Sequence, residues 1–367
     1  MRVGILGTRG IPARYGGFET LAEELSARLA ARGHDVTVYT RSRYAEPGLS
    51  EHRGAKIRVL PTVPTKYFDT VVHGVLSGID AAFDRFDAVL VCNAINAAAS
   101  FLPRFGGRTR VVLNVDGLER NRRKWSAAGR LAYRVSERLS TIVPDVIVSD
   151  AAVIQRYYRE RYGVESICIP YGGDLPEPAG RAVLGRLGLE RERYVLYVSR
   201  LEPENNALEV VRAYRDVPGT TPLVVVGDAP YAAGYIARVR AAADPRVIFP
   251  GAIYGEGYRE LLSGAAVYVQ ATEVGGTHPA LVEALGYGRV VLYNATPENE
   301  EVAGGAGLPF DVRSPAGLAA VLRGVLDDPS AHSVWKERAR KRVQERYRWE
   351  DVVDRYEAVL EGREGIP

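Results

Sequence analysis

Short runs of β-branched apolar residues alternate along this chain with stretches in which apolar residues recur every three or four positions. Val3–Gly7 is such a run, Glu19–Arg32 carries Leu21, Leu25 and Leu29 on one face, and Val36–Thr40 is a second run. Together they predict a βαβ unit. Further strands are predicted at Ile57–Leu60, Ala88–Cys92, Val111–Val115, Val146–Ser149 and Ser166–Pro170, with helical stretches between most of them. The first half therefore reads as an open parallel sheet. Tyr171 to Gly180 is a cluster of breakers without periodicity and predicts an interdomain linker. The alternation restarts with strands at Tyr194–Ser199, Leu223–Gly227, Val247–Pro250, Ala266–Gln270 and Val290–Asn294. After Pro315 only helices are expected, with Trp335 and Trp349 as large apolar anchors. The fold class is α/β, with two Rossmann-like doubly wound domains at 1–172 and 181–348. Two such domains on a hinge turn the carboxyl ends of both sheets toward one central cleft, where ligands are expected.

Composition narrows the function. The chain has 367 residues, 46% of them hydrophobic, enough for two cores. A net charge of +3 is unlike that of a histone-like nucleic-acid binder. The charge is uneven, with +7 over residues 1–175 and −4 over residues 176–367. Cys92 and Cys168 each end an apolar run and read as small buried hydrophobes in a reducing, cytoplasmic setting. No apolar stretch reaches the ~18 residues of a membrane span, and the start MRVGILG lacks a signal-peptide core. A soluble or peripheral protein is expected.

Three stretches carry candidate chemistry. Gly4 to Gly10, followed by Pro12 and Tyr15-Gly-Gly-Phe-Glu19, opens a helix without the tight glycine spacing of a dinucleotide fingerprint. Gly16 and Gly17 can bring bare amides to a phosphate or sugar, or serve backbone shape alone. Arg41 after the second strand keeps an NADP-dependent oxidoreductase open as a rival. In the second stretch, Ser199 to Asn206, Arg200 is placed for a diphosphate, although a lone Arg is more often a surface ion pair. In the third, Thr272 to Gly286, a Gly-Gly turn exposes amides at Gly275, Gly276, Thr277 and His278. Pro279 then starts a helix, and Glu283 lies one turn in, among apolar neighbours that imply a partner such as ribose hydroxyls.

These stretches, with Gly33-His-Asp-Val36, resemble the GT-B glycosyltransferases of the large retaining group that includes sucrose synthases and mannosyltransferases. The phrases LGTRGIPARYGGFET, VDGLER, SRLEPENN, GGTHPALVEALG and the late Glu-Val-Ala-Gly resemble its bacterial rhamnosyltransferase-like subgroup, which serves cell-surface polysaccharide assembly. The resemblance covers nearly the whole chain, and implies a nucleotide-binding second domain, an acceptor-binding first domain and a C-terminal helix at about 349–367 crossing back. Departures accompany it. The family's Glu-x7-Glu would begin at Gly275, with Glu273 two residues earlier. Its Lys after the Arg is here Asn205, which leaves Arg9, Arg14 or amides to compensate. Its first-domain His is absent, and Asp116 stands there, with Glu119 close by.

The resemblance thus implies a retaining transferase that moves L-rhamnose from dTDP-L-rhamnose to a saccharide or lipid-linked acceptor without metal or cofactor. The altered groups around the sugar suit a 6-deoxy sugar. UDP- or GDP-sugar donors, and an inactive sugar-nucleotide binder, remain alternatives. Between Arg104 and Arg138 lie ten basic and three acidic residues. Arg120, Arg122, Arg123, Lys124, Arg130, Arg134 and Arg138, beside Leu131, Val135 and Leu139, with Trp125 and Tyr133 as interface aromatics, predict a strip for an anionic membrane or an ordinary solvated face. No nucleic-acid reader motif is present.

Overall fold

A computed structural model describes residues 1–63, 65, 68–123, 125–177 and 180–363. The chain divides into two compact units, Met1–Gly172 with the segment from Trp349 onward, and Gly173–Arg348. The first unit runs β1 (Arg2–Leu6), α1 (Gly17–Ala31), β2 (Asp35–Arg41), β3 (Glu51–His52), β4 (Ala55–Leu60), α2 (Phe68–Asp84), β5 (Ala88–Cys92), β6 (Arg110–Asn114), α3 (Ala127–Ser140), β7 (Val146–Ser149), α4 (Ala152–Tyr162) and β8 (Ile167–Cys168). Its eight strands lie in the order β3-β4-β2-β1-β5-β6-β7-β8. All pairs are parallel except β3–β4, an antiparallel hairpin that the sequence reading missed. With two residues, β3 is too short to show a period. Every residue of β5 is buried, as expected of a strand covered on both faces. Leu21, Leu25 and Leu29 of α1 pack on one face of the sheet. Ala81, Ile154 and Tyr158 pack on the other.

The second unit runs α5 (Ala182–Leu187), β9 (Val195–Val198), α6 (Ala207–Tyr214), β10 (Leu223–Val226), α7 (Ala233–Ala241), β11 (Val247–Gly251), α8 (Gly255–Gly264), β12 (Val267–Gln270), α9 (Pro279–Gly286), β13 (Val290–Asn294), α10 (Pro297–Ala303), β14 (Leu308–Phe310), α11 (Pro315–Asp327) and α12 (His332–Arg346). Its six-stranded sheet has the order β11-β10-β9-β12-β13-β14 and is parallel throughout. The edge strand β14 was also missed, because Pro309 reads as a breaker, although an edge tolerates it.

From Arg348 the chain returns to the first unit as α13 (Trp349–Leu360). Trp349, Val353, Tyr356 and Leu360 join the core formed with β1, β5 and α1, and the Asn114 side-chain amide donates to the Tyr356 hydroxyl at 2.7 Å. Gly172 is required there, since a Cβ would lie 2.4 Å from the Trp349 ring. The start of the expected linker is therefore built into the fold: Tyr171 is buried, and Gly173 forms a β-bridge with Arg348. Strand order reverses around β1 in the first sheet and around β9 in the second. The loops after β1 and β5, and after β9 and β12, diverge at those points and leave room for ligands. Both cysteines are free, Cys92 buried and Cys168 half-buried. Among the described residues, no helix is long and apolar enough to cross a membrane.

Candidate functional site

In the second unit, the loops after β9 and β12 are stitched together by main-chain bonds. The Asn206 amide donates to the Ala271 carbonyl at 2.8 Å, and the Glu273 N–H donates to the Glu204 carbonyl at 3.0 Å. Arg200 therefore shares a loop cluster with Gly275, Gly276, Thr277 and His278. A guanidinium Nη of Arg200 lies 3.6 Å from Glu202, a buried acid that also accepts from the Tyr231 hydroxyl at 2.6 Å. This acid restrains the guanidinium's direction; sequence spacing offered no sign of it. Asn205 is buried, and its amide nitrogen donates to the Arg200 carbonyl at 2.7 Å. It shapes the loop that carries Arg200.

α9 starts at Pro279, with His278 in the extended N-cap position. The buried Tyr268 hydroxyl donates to Gln270, whose amide donates to the Thr272 hydroxyl at 2.7 Å, which meets His278 Nε2 at 3.0 Å. A Cβ at Gly275 would stand 2.4 Å from the His278 ring, so the glycine admits the imidazole. Half-buried Glu273 precedes it in the same loop. Glu283 does have a partner, Tyr258 of α8, whose hydroxyl donates to it. Burial first, and then the charge of Glu283, push the Tyr258 phenol far up, so it remains a donor.

In the first unit, α1 begins at Gly17, and Gly16 before it is fully extended. Asp116 has a left-handed backbone at φ 59° and donates its N–H to Asn114 at 2.9 Å. A non-glycine residue there is strained, which often marks a functional position. Asn93 at the end of β5 is also left-handed, at φ 73°, and was not foreseen. Glu119 is ion-paired with the buried Arg122. At the end of β2, Arg41 forms a buried ion pair with Asp69. His73 lies buried in the same neighbourhood, where desolvation first, and then the Arg41 charge, lower its pKa to about 4. The Arg41 expected near an NADP phosphate is thus committed to Asp69.

The basic strip is narrower than expected. Arg120 donates to the buried Glu137, and Arg122 is enclosed with Glu119, so neither belongs to an exposed face. Tyr133 is also buried, with its ring 5.1 Å from Trp125, because α3 packs against the turns Ala94–Ala99 and Glu119–Asn121. Arg123, Arg130, Arg134 and Arg138 are exposed, beside Leu131 at 61% and Val135 at 52% exposure. Lys124 lies outside the described residues. α2 presents a second exposed apolar row, Phe68, Val71, Val75, Ile79 and Phe83, that the sequence reading did not single out.

Residues 15–175 match Glycosyltransferase Family 4, and residues 185–342 match Glycosyl transferases group 1. No curated protein matches the chain. Among solved structures, sucrose-phosphate synthase from Thermosynechococcus elongatus is similar with a TM-score of 0.84 at 18% identity, over 98% of each chain. HepE of Anabaena, solved with UDP and glucose, gives 0.78 at 16% identity over 99% of this chain and 100% of that one. WaaG, a glycosyltransferase involved in lipopolysaccharide biosynthesis, gives 0.75 at 17% identity over 98% and 99%. At such identities the structural likeness speaks for the fold, and the two family matches speak for the activity. With a Family 4 domain in its first half and a group 1 domain in its second, the chain belongs to the GT-B glycosyltransferases.

Proposed function

We propose that this glycosyltransferase moves L-rhamnose from dTDP-L-rhamnose to a hydroxyl of a saccharide or lipid-linked acceptor, with retention and without a metal ion. The observation that carries the reading is the stitched loop cluster of the second unit. Arg200, directed by Glu202, faces the same loop pair as the Gly276–His278 amides, and Glu283 follows one turn into α9. Such donors stabilise charge on a departing diphosphate, while Glu283 accepts from ribose hydroxyls. The His278 ring over Gly275 alters the polar groups near the sugar, in keeping with a donor that lacks one hydroxyl. Asp116, strained and half-exposed, with Glu119 behind it, is assigned to the sugar side in the first unit. A UDP-sugar donor is the second reading, favoured by the UDP and glucose bound in HepE.

The narrowed strip of Arg123, Arg130, Arg134 and Arg138 with Leu131 and Val135 is assigned to an anionic membrane surface at the cytoplasmic face. Each basic residue near such a surface contributes on the order of 1 kcal/mol. Vesicle co-sedimentation at low and high salt checks it; equal partitioning onto neutral and anionic vesicles would remove the assignment.

Donor turnover with dTDP-rhamnose, UDP-glucose and GDP-mannose, each with and without EDTA, tests the main reading. Preferred turnover of dTDP-rhamnose, undiminished by EDTA, is expected. Arg200→Ala should lower kcat at least as much as it raises KM, because leaving-group charge grows toward the transition state. Binding without any transfer or hydrolysis would mark an inactive sugar-nucleotide binder. Binding of NADPH instead would turn the assignment to an oxidoreductase.

A further inference from the structure

α2 is turned inside out. The side of this 17-residue helix that faces the protein carries small and polar residues, Asp69, His73, Gly74, Ser77, Gly78 and Ala81. Its exposed side chains are Phe68, Val71, Val75, Ile79 and Phe83, all of them apolar and the last 82% exposed. An amphipathic helix at a protein surface ordinarily buries its apolar stripe. The two inward glycines fix the reverse orientation, because a Cβ at Gly74 would collide with the Asn96 side chain and one at Gly78 would press on Leu102 at 3.1 Å. Rotating α2 to hide the row would drive bulk into those contacts. Beside the carboxyl half of α2 packs the turn Leu102–Gly106, where a Cβ on Gly106 would strike the Ala82 carbonyl. Phe101 and Phe105 border that turn with their rings 5.5 Å apart, edge to face, and Phe105 is 77% exposed.

On the scale of ~200 Å² for a whole aromatic side chain, these seven residues expose roughly 700 Å² of apolar surface. That exceeds the few hundred Å² at which an apolar patch marks an interaction site, and it approaches the ~800 Å² that each partner contributes to a stable interface. The row also reads the same in both directions. Val71 and Ile79 stand four residues either side of Val75, and a phenylalanine closes each end. A twofold contact needs that property, since residue i must meet j while j meets i. With the axis beside Val75, two antiparallel copies of α2 would set each Phe68 against the other copy's Phe83 and each Val71 against the other's Ile79. Successive i+4 positions form a ridge of the kind that interdigitates between packed helices. Charge favours protein over lipid as the cover: α2 contains no Lys or Arg, whereas helices that lie on membranes are rich in both. Its outer acids are already paired, Asp80 with Arg58 at 2.9 Å and Asp84 with Arg2 at 4.0 Å, and would form a polar rim without leaving an unpaired charge. We propose that α2 is the interface of a homodimer, in which a second copy of this chain covers the row in antiparallel register.

Sedimentation velocity and light scattering on the full chain at micromolar concentration test it. The wild type should have twice the monomer mass. Phe83→Glu and Val75→Asp should each raise the dimer dissociation constant roughly tenfold or more, as expected at the centre of an interface, while Leu131→Glu on α3 should leave it unchanged. Phe83 is nearly free of contacts within its own chain, so its variant keeps the test valid if Val75→Asp perturbs folding. Register is read by cross-linking: under mild copper-catalysed air oxidation Val75→Cys should join to itself, and Leu131→Cys should not. A monomeric wild type, a dimer that persists in Phe83→Glu, or failure of Val75→Cys to cross-link would overturn the proposal. Pelleting of a monomeric wild type with neutral lipid vesicles, lost in Phe83→Glu, would also overturn it and give the row to a membrane.

Discussion

Gly275 and His278 illustrate how much one missing side chain decides. Gly275→Ala would bring a Cβ to 2.4 Å from the His278 ring, so the imidazole must swing away from Thr272. Misplacement of about 1 Å near a reacting group can cost on the order of a hundredfold. The expected outcome is a tenfold to hundredfold fall in kcat with little change in melting temperature; an unaltered kcat would leave the ring a purely structural filler. Glu283→Ala should weaken nucleotide binding by about 1.5–3 kcal/mol, since a hydrogen bond to a carboxylate is lost. Tyr258→Phe should weaken it less, because the carboxylate remains and only its orientation suffers; titration of dTDP or UDP against both variants checks the ranking. Glu283 was legible as an acid among apolar residues that required a partner. Tyr258 was not, because it lies on a different helix and a single sequence carries no pairing information.

At the level of elements, periodicity located the long strands and the interior helices within a few residues, because burial on both faces enforces near-continuous apolar runs. It failed at β3 and β14, where two or three residues hold an edge by pairing alone. On α3, charge spacing marked a basic stripe, but only tertiary packing reveals that Arg120 and Arg122 are committed to Glu137 and Glu119. α13 offers the sharpest element-scale test. Trp349→Ala empties a site against Gly172 and should cost about 3–5 kcal/mol of unfolding free energy, readable as a lower urea midpoint. Gly172→Ala should destabilise as well, by overpacking, and a double variant that costs less than the sum of the two would tie both effects to one contact.

Over the whole molecule, buried titration sets the response to acid. His73 holds its proton more weakly in the folded state, at about 4 against 6.5, so the unfolded chain binds the extra proton as pH falls. Stability from this group is complete above the unfolded value and is lost downward through pH 6.5 toward 4, by roughly 2 kcal/mol between pH 7 and pH 5. His73→Leu should flatten that part of the urea-midpoint profile, and an unchanged slope would exclude His73 as its source. Glu357 adds to the same trend: burial raises its pKa, but the His34 and Arg32 hydrogen bonds outweigh it and lower the net value, so its contribution disappears as the carboxyl protonates. The return of the chain at Trp349 has a further consequence, in time rather than in space. During synthesis the ribosome completes every strand of the first sheet early, yet the apolar groove of β1, β5 and α1 stays uncovered until α13 emerges. The first unit is thus obliged to wait for α13, exposed to chaperones and proteases throughout, and a nonsense codon at Trp349 would leave the second unit whole and the first with its apolar groove uncovered.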